Sequence, residues 1–381
     1  MITPQKMSEF ERNKVVEMFS KLNQDLTSSI IKKLQQNEDI SSFTKAQMRV
    51  LARQGGKEVF NEALNKVNGL SRERKKELLQ LFNEIQNEQM KGYKQTYEAK
   101  GLEYQISNEV QQLVDSIYRQ TDKELKNMTK SIAFASKEAY INGVDDLFTK
   151  VSSGSFDYSS AMKSTINALA EKGITLKDKA GRNVSLETAV KRNLTTSLTQ
   201  TANDIAKQVG DEIGANCVVI GHSPYCRPTH RVIDGVVMSL DKFKKYEYLT
   251  KEPNCYHIVN YDWREEFENK KNKVRDNGHL TNAQYNKNYE IRQKQTYYAR
   301  QVRDKKEQVA ILEKSDKRNN ATSEELKKSK KELRNAQMKY RQFSKSKGID
   351  VDYSLTWKQG YNKVSRNKNT FDKNKFTTKQ E

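Results

Sequence analysis

The amino-acid sequence predicts a mainly α chain of the α+β type, and three observations carry the prediction. Apolar residues recur at three- and four-residue steps over most of the 381 residues, the period of a helix with one buried stripe. Only 35% of residues are hydrophobic and 31% are charged, whereas compact domains are roughly 45–50% apolar. Thin helical layers with long solvated faces therefore fit better than one thick core. The period changes in a single window, around 217–238, to short runs rich in Val and Ile, which predicts a small sheet inside an otherwise helical chain. At roughly 150 residues per domain, the length allows two or three folding units. The pattern divides the chain into an elongated helical scaffold at 1–152, a small α+β core at 153–263, a basic helical hairpin at 264–346 and a flexible basic tail at 347–381.

Taken in order, residues 8–36 place Val15, Phe19, Leu22, Leu26, Ile30 and Leu34 on one face of an amphipathic helix. A second helix covers 44–68, where Gly55-Gly56 is expected to loosen or kink it. Gly69 is expected to end that helix and Ser71 to cap the next, which carries Leu78, Leu79, Leu81, Phe82 and Ile85. Gly101 breaks the pattern before a long helix at 105–150 with Val110, Leu113, Ile117, Leu125 and Met128 on one side. Ser152-Ser153-Gly154-Ser155 is a turn-rich joint. A short helix at 158–172 ends at Gly173, 174–184 reads as a loop or small hairpin, and Ser185 opens a helix striped with Leu186, Val190, Leu194, Leu198, Ala202, Ile205 and Val209. Gly210 or Gly214 is expected to stop it. Cys217–Ile220 and Arg231–Met238 read as strands around a loop pinned by Pro224 and Pro228. Beyond 280 a sparse seam of Ile291, Tyr298, Val302, Val309 and Leu312 predicts a helix at 285–313. Lys314–Ala321 reads as a polar turn, and Thr322 with Glu325 as the capping box of a final helix that carries Leu326, Leu333, Ala336, Tyr340 and Phe343.

The longest apolar runs are four residues, such as Cys217–Ile220, against the ~18 needed to cross a bilayer, so no membrane partner is expected. The opening MITPQKMSEF lacks the charged and apolar regions of a secretory signal. Three cysteines make no disulfide framework, and a reducing compartment is the expectation. Charge is uneven: residues 264–381 hold 31 Lys+Arg and 16 Asp+Glu, a net of +15, out of +20 for the whole chain. A basic C-terminal arm of this kind suits a polyanion, of which nucleic acid is the commonest; the competing reading is a solvated helical hairpin whose lysines keep the chain soluble.

Chemistry-bearing residues are still more concentrated. Cys217, Cys226, Cys255, His222, His230, His257, Pro224, Pro228 and Pro253 all fall between 217 and 257. Thiolates and imidazoles are the ligands zinc takes, four at a time. Cys226 with His230 and Cys255 with His257 make two pairs that could close a structural zinc site, with His222 and Cys217 as substitutes, although the spacing is not that of a zinc finger. The competing reading has the histidines hydrogen-bonding a tight loop while the cysteines serve as small buried hydrophobes, with no cofactor at all. A third reading, a metal-dependent nuclease centred on His222, His230 and His257, would match the basic arm. It lacks a clear carboxylate orienter, although Asp234 and Asp262 lie nearby in sequence. No phosphate-binding glycine loop is present.

Several phrases in this half of the chain go together: Leu169-Ala-Glu-Lys-Gly173, Lys179-Ala-Gly181-Arg182, Leu186-Glu-Thr-Ala-Val190-Lys-Arg192, Thr195-Thr196 with Gln200, Gly214-Ala-Asn-Cys-Val218 leading to His222, Arg227-Pro228-Thr229-His230, Gly235, and Asn254-Cys255-Tyr256-His257. With the Gln/Arg-rich run Tyr289–Arg300, they resemble the phage minor capsid protein 2 family of the phage head-morphogenesis proteins. The resemblance covers at most about half the chain, and it departs from the family pattern at Ile233-Asp234 and at Cys226. It implies a non-enzymatic component of the virion, in the phage head, assembled in the bacterial host cytoplasm. It also implies contacts with portal and capsid proteins at or inside the portal vertex, an oligomeric setting, and DNA held by the basic arm. In that picture His222, Arg227, Pro228, His230, Gly235, Asn254, Cys255 and His257 form a structural loop knitted to the small sheet by hydrogen bonds.

Overall fold

The computed structural model describes residues 13–358 except 38, 179, 224, 253, 254, 256, 277–279, 316–319 and 357, together with residues 2, 6, 7 and 10. The chain is mainly α with two small sheets. Helix α1 (Lys14–Gln35) lies within the expected 8–36 and starts one residue before the stripe, where the Asn13 side chain accepts from the Val16 amide at 3.0 Å and caps it. Helix α2 (Lys45–Gly69) starts on a capping box between Thr44 and Gln47. Gly55-Gly56 does not interrupt it. Both glycines lie buried inside a continuous helix, and a Cβ on Gly55 would run into the Tyr140 ring of α5 (Asn108–Ser152). The missing side chains let two long helices approach, which outweighs the glycines' poor helix propensity.

Gly69 is likewise not a left-handed terminator, and Ser71 is not a cap. The chain stays right-handed through Leu70 and passes directly into α3 (Ser71–Lys91), with the Arg74 amide donating to the Leu70 carbonyl at 2.8 Å. A short α4 (Lys94–Ala99) precedes α5, which runs for 45 residues from the Ser107 cap. Helix α6 (Tyr158–Lys172) ends at Gly173, as its sequence predicts, and the stretch after it is a hairpin of β1 (Thr175–Lys177) and β2 (Asn183–Ser185). Ser185 caps α7 (Leu186–Glu212), and Gly214, not Gly210, takes the left-handed turn that follows it. Gly210 instead lies against β5 (Val259–Asp262), where a Cβ would stand 2.5 Å from that of Tyr261.

The second sheet is antiparallel in the order β5–β3–β4–β6, with β3 at Cys217–Ile220, β4 at Val236–Ser239 and β6 at Val274–Asp276. The strand expected at 231–238 is half as long as its Val and Ile content suggests. Residues 228–230 form a 3₁₀ turn and the chain turns again through Gly235 before pairing starts. Two single-turn helices, α8 (Leu240–Phe243) and α9 (Glu247–Thr250), cover this sheet. The C-terminal hairpin pairs α10 (Asn282–Lys314), capped by Thr281 with Gln284, and α11 (Asn320–Ser346). Because α11 begins at Asn320, Thr322 sits within its first turn rather than capping it, and its hydroxyl accepts from the Gln35 side chain at 2.7 Å.

One apolar cluster runs from Ile2 through α1, α2, α3, α5, α6 and α7 to Ile311 and Leu312 of α10. Each fully buried large side chain in it contributes about 1.5–3 kcal/mol. The four-stranded sheet rests on a smaller cluster of Val218, Ile220, Ile233, Val236, Met238, Phe243, Leu249 and Val259. The α10–α11 hairpin has a third, built on Ala299, Val302, Val309, Leu333 and Tyr340. The described part of the expected tail packs back on α10, α11 and α7: the Tyr340 hydroxyl donates to the Asp352 carbonyl, the Lys306 ammonium donates to the Thr356 carbonyl, and Lys358 pairs with Glu187 and Glu307. Residues 359–381, with Tyr361 and Phe371, lie outside the described residues, as does Trp357.

Candidate metal centre

The fold brings two loops together at one end of the four-stranded sheet, where β3 ends and β4 and β5 begin. Between β3 and β4, residues 221–235 carry His222, Cys226, Arg227, Pro228, His230, Asp234 and Gly235. The chain entering β5 supplies Glu252, Cys255 and His257. Backbone bonds shape both: the Cys226 amide donates to the Ser223 carbonyl, the His230 amide to that of Arg227, which Pro228 follows, and the Cys255 amide to that of Glu252. Gly235, at φ +67°, makes the left-handed turn into β4. Pro224, Pro253 and Asn254 lie outside the described residues.

At the centre, Cys255 Sγ stands 3.6 Å from His230 Nδ1 and 3.4 Å from His257 Nδ1, and the two Nδ1 atoms are 3.5 Å apart. Cys226 presents its thiol to His257. All four residues are buried, none more than 6% exposed. The far sides of both rings are held by carboxylates: His257 Nε2 lies 2.9 Å from Asp234 Oδ1, and His230 Nε2 lies 3.0 Å from Glu252 Oε2. Arg227 Nη1 donates to the same Glu252 oxygen at 2.7 Å. Asp234, fully buried, also accepts from the Ser223 amide, from Tyr285 Oη at the start of α10, and on Oδ2 faces His222 Nδ1 at 2.6 Å.

The electrostatics follow from these contacts. Burial pushes the His257 imidazole toward its neutral form, but the bond to Asp234, followed by the thiols of Cys226 and Cys255, outweighs it and carries the pKa up to about 11. Burial lowers that of His230 despite the opposing Glu252 bond. Burial alone would raise Asp234, yet the bonds from His257, Tyr285 and Ser223 hold it below the usual carboxylate range. Glu252 is lowered chiefly by His230.

The structure therefore gathers His230, Cys255 and His257 at one point, places Cys226 beside His257 and Asp234, and leaves out both proposed substitutes. Cys217 lies in β3 with its thiol on the Asp262 carbonyl, in a separate apolar group with Val237 and Phe267, where burial pushes its pKa up to about 12. His222 sits across Asp234 from His257, so the three histidines do not converge on one open position as a nuclease centre would need. Sequence reasoning missed Asp234 as the shared acceptor, and missed Glu252 and Tyr285 altogether. Asp234 carried the one visible signal, an acid between His230 and Gly235. Asp262, the other acid noted, accepts from Arg264 instead.

The sequence pattern of the family described as Phage minor capsid protein 2 matches residues 2–345, so the chain belongs to that family of virion proteins. The match extends well beyond 154–300, where the resembling phrases lie, and takes in the whole helical N-terminal region. No curated protein and no solved structure matches the chain. No helix among the described residues is long and apolar enough to cross a membrane.

Proposed function

We propose that the protein is a structural component of the phage head, at or inside the portal vertex, where it contacts portal or capsid proteins and holds packaged double-stranded DNA through its C-terminal hairpin. Family membership supports the virion role. One observation carries the DNA contact: Lys327, Lys331, Arg334, Arg341 and Lys345 recur at three-, four- and seven-residue steps along α11, all exposed, on one side of the helix away from the buried Leu333 and Tyr340. Residues 333–347 contain no Asp or Glu, so nothing within that stretch neutralises the stripe. A row of cations about 27 Å long is a surface that exchanges condensed counterions for contacts to phosphates.

The test neutralises the stripe and leaves the fold alone. Deleting residues 264–381 would also remove Ile311 and Leu312 from the core, so the combined variant Lys331→Gln, Arg334→Gln, Arg341→Gln and Lys345→Gln is preferable. Its affinity for duplex DNA is expected to fall at low salt, and the slope of log affinity against log salt to shrink by about three to four. Unchanged affinity and slope would remove DNA from the account. Cross-linking and mass spectrometry of purified particles tests the location, with cross-links to portal or capsid subunits expected; absence from the particles would contradict it.

A further inference from the structure

We propose that Cys226, His230, Cys255 and His257 bind one structural zinc ion that ties the 221–235 loop to the chain entering β5. Zinc bonds of about 2.0–2.1 Å to nitrogen and 2.3 Å to sulfur, at tetrahedral angles, place two nitrogens about 3.4 Å apart and a nitrogen and sulfur about 3.6 Å apart. The three measured edges are 3.5 Å between His230 Nδ1 and His257 Nδ1, and 3.6 and 3.4 Å from these to Cys255 Sγ. They form one face of such a tetrahedron. Cys226, whose thiol lies with an Asp234 oxygen within 4.8 Å of a His257 ring nitrogen, adjoins this face and is the thiol assigned to the fourth corner, which it reaches by turning from Asp234 toward Cys255.

The outer partners point the same way. A ligating histidine gives its other ring nitrogen to a carboxylate, which fixes the ring and raises its basicity. Here both histidines do so, His257 to Asp234 and His230 to Glu252, each turning Nδ1 inward to the shared point. A loop held by hydrogen bonds alone has no need of two imidazole nitrogens and a thiol at equal spacing. The ligand set is closed and buried, which is the form of a structural rather than a catalytic zinc. The benefit is local: the apolar cluster under this sheet contains eight buried residues, and a small core gains most from a metal clip. Asp234 carries the effect outward, because it also accepts from Tyr285, and Arg231 beside it bonds Asn282 and Asn286. The clip thus also seats the first turn of the basic hairpin.

Full-length protein, purified without chelator, is expected to contain about one zinc per chain by elemental analysis, and Cys226→Ser and Cys255→Ser below about a tenth of that. Cys217→Ser, outside the site, is expected to keep it. Cobalt(II) added to chelator-stripped wild-type protein is expected to give tetrahedral ligand-field bands with thiolate charge-transfer absorption, which reports binding even if a cysteine variant folds poorly. Stripping zinc is expected to speed amide exchange about tenfold or more at 222–235 and 282–288. Zinc-free wild-type protein with no tetrahedral cobalt spectrum, or full zinc in Cys255→Ser, would overturn the proposal.

Discussion

The helical body and the small sheet solve the same problem by different means. In the body, α1, α2, α3, α5, α6 and α7 each bury one apolar stripe, and the stripes merge into one cluster in which Phe19, Phe82, Tyr140 and Leu147 are almost wholly covered. The sheet rests on far fewer apolar side chains and is surrounded instead by buried polar ones: His230, Asp234 and His257 are each no more than 3% exposed. Burial of apolar area is additive and forgiving, because one side chain more or less changes the sum by a few kcal/mol. A buried polar set is conditional, since each donor or acceptor left without its partner costs free energy that it otherwise supplies. The body should therefore weaken by degrees, and the sheet's loops all at once.

The largest expected effect lies in the body. Phe82→Ala removes a ring that is fully buried and lies edge-on to Tyr118 at 6.0 Å between centroids. Its predicted cost is about 3–5 kcal/mol in denaturant unfolding. A cost below ~1 kcal/mol would mean that α3 is not part of a close-packed core. A smaller effect is expected where α2 crosses α5. Gly55→Ala forces the Tyr140 ring to move and should destabilise by about 1–3 kcal/mol, although alanine is the better helix former. Stabilisation by this substitution would show that the helices have room to separate.

These two regions also differ in how far they can be read from sequence. The long helices were legible because a stripe such as Leu186, Val190, Leu194, Leu198, Ala202, Ile205 and Val209 repeats the same physical signal every turn. The errors in the body were at its close contacts: Gly55-Gly56 reads as a weak point, and only the packing of Tyr140 turns it into a crossing. In the sheet, Cys217–Ile220 was legible as an apolar run, but β6 at Val274–Asp276 is exposed throughout and has no run to see. Arg231–Met238 was overread, since Ile233 and Val236 enter the core from a turn rather than from a continuous strand. At the site, residue type alone singled out Cys226, His230, Cys255 and His257. The role of Asp234 was not legible, because it depends on residues 222, 223, 257 and 285 meeting in space, and nothing in their spacing announces that.

The central claim is that the shared buried acid Asp234, beyond the small apolar cluster under the sheet, holds the sheet's loops and the start of α10 in place. Native-state hydrogen exchange on wild type and Asp234→Asn tests it most directly. Asparagine keeps the shape but puts an amide N–H against groups that donate to the carboxylate, Tyr285 Oη and Ser223 N among them. The account predicts faster exchange confined to residues 222–235, 257–262 and 282–288, with α2, α3 and α5 unchanged. Protection lost evenly across both regions, or not lost at all, would contradict it.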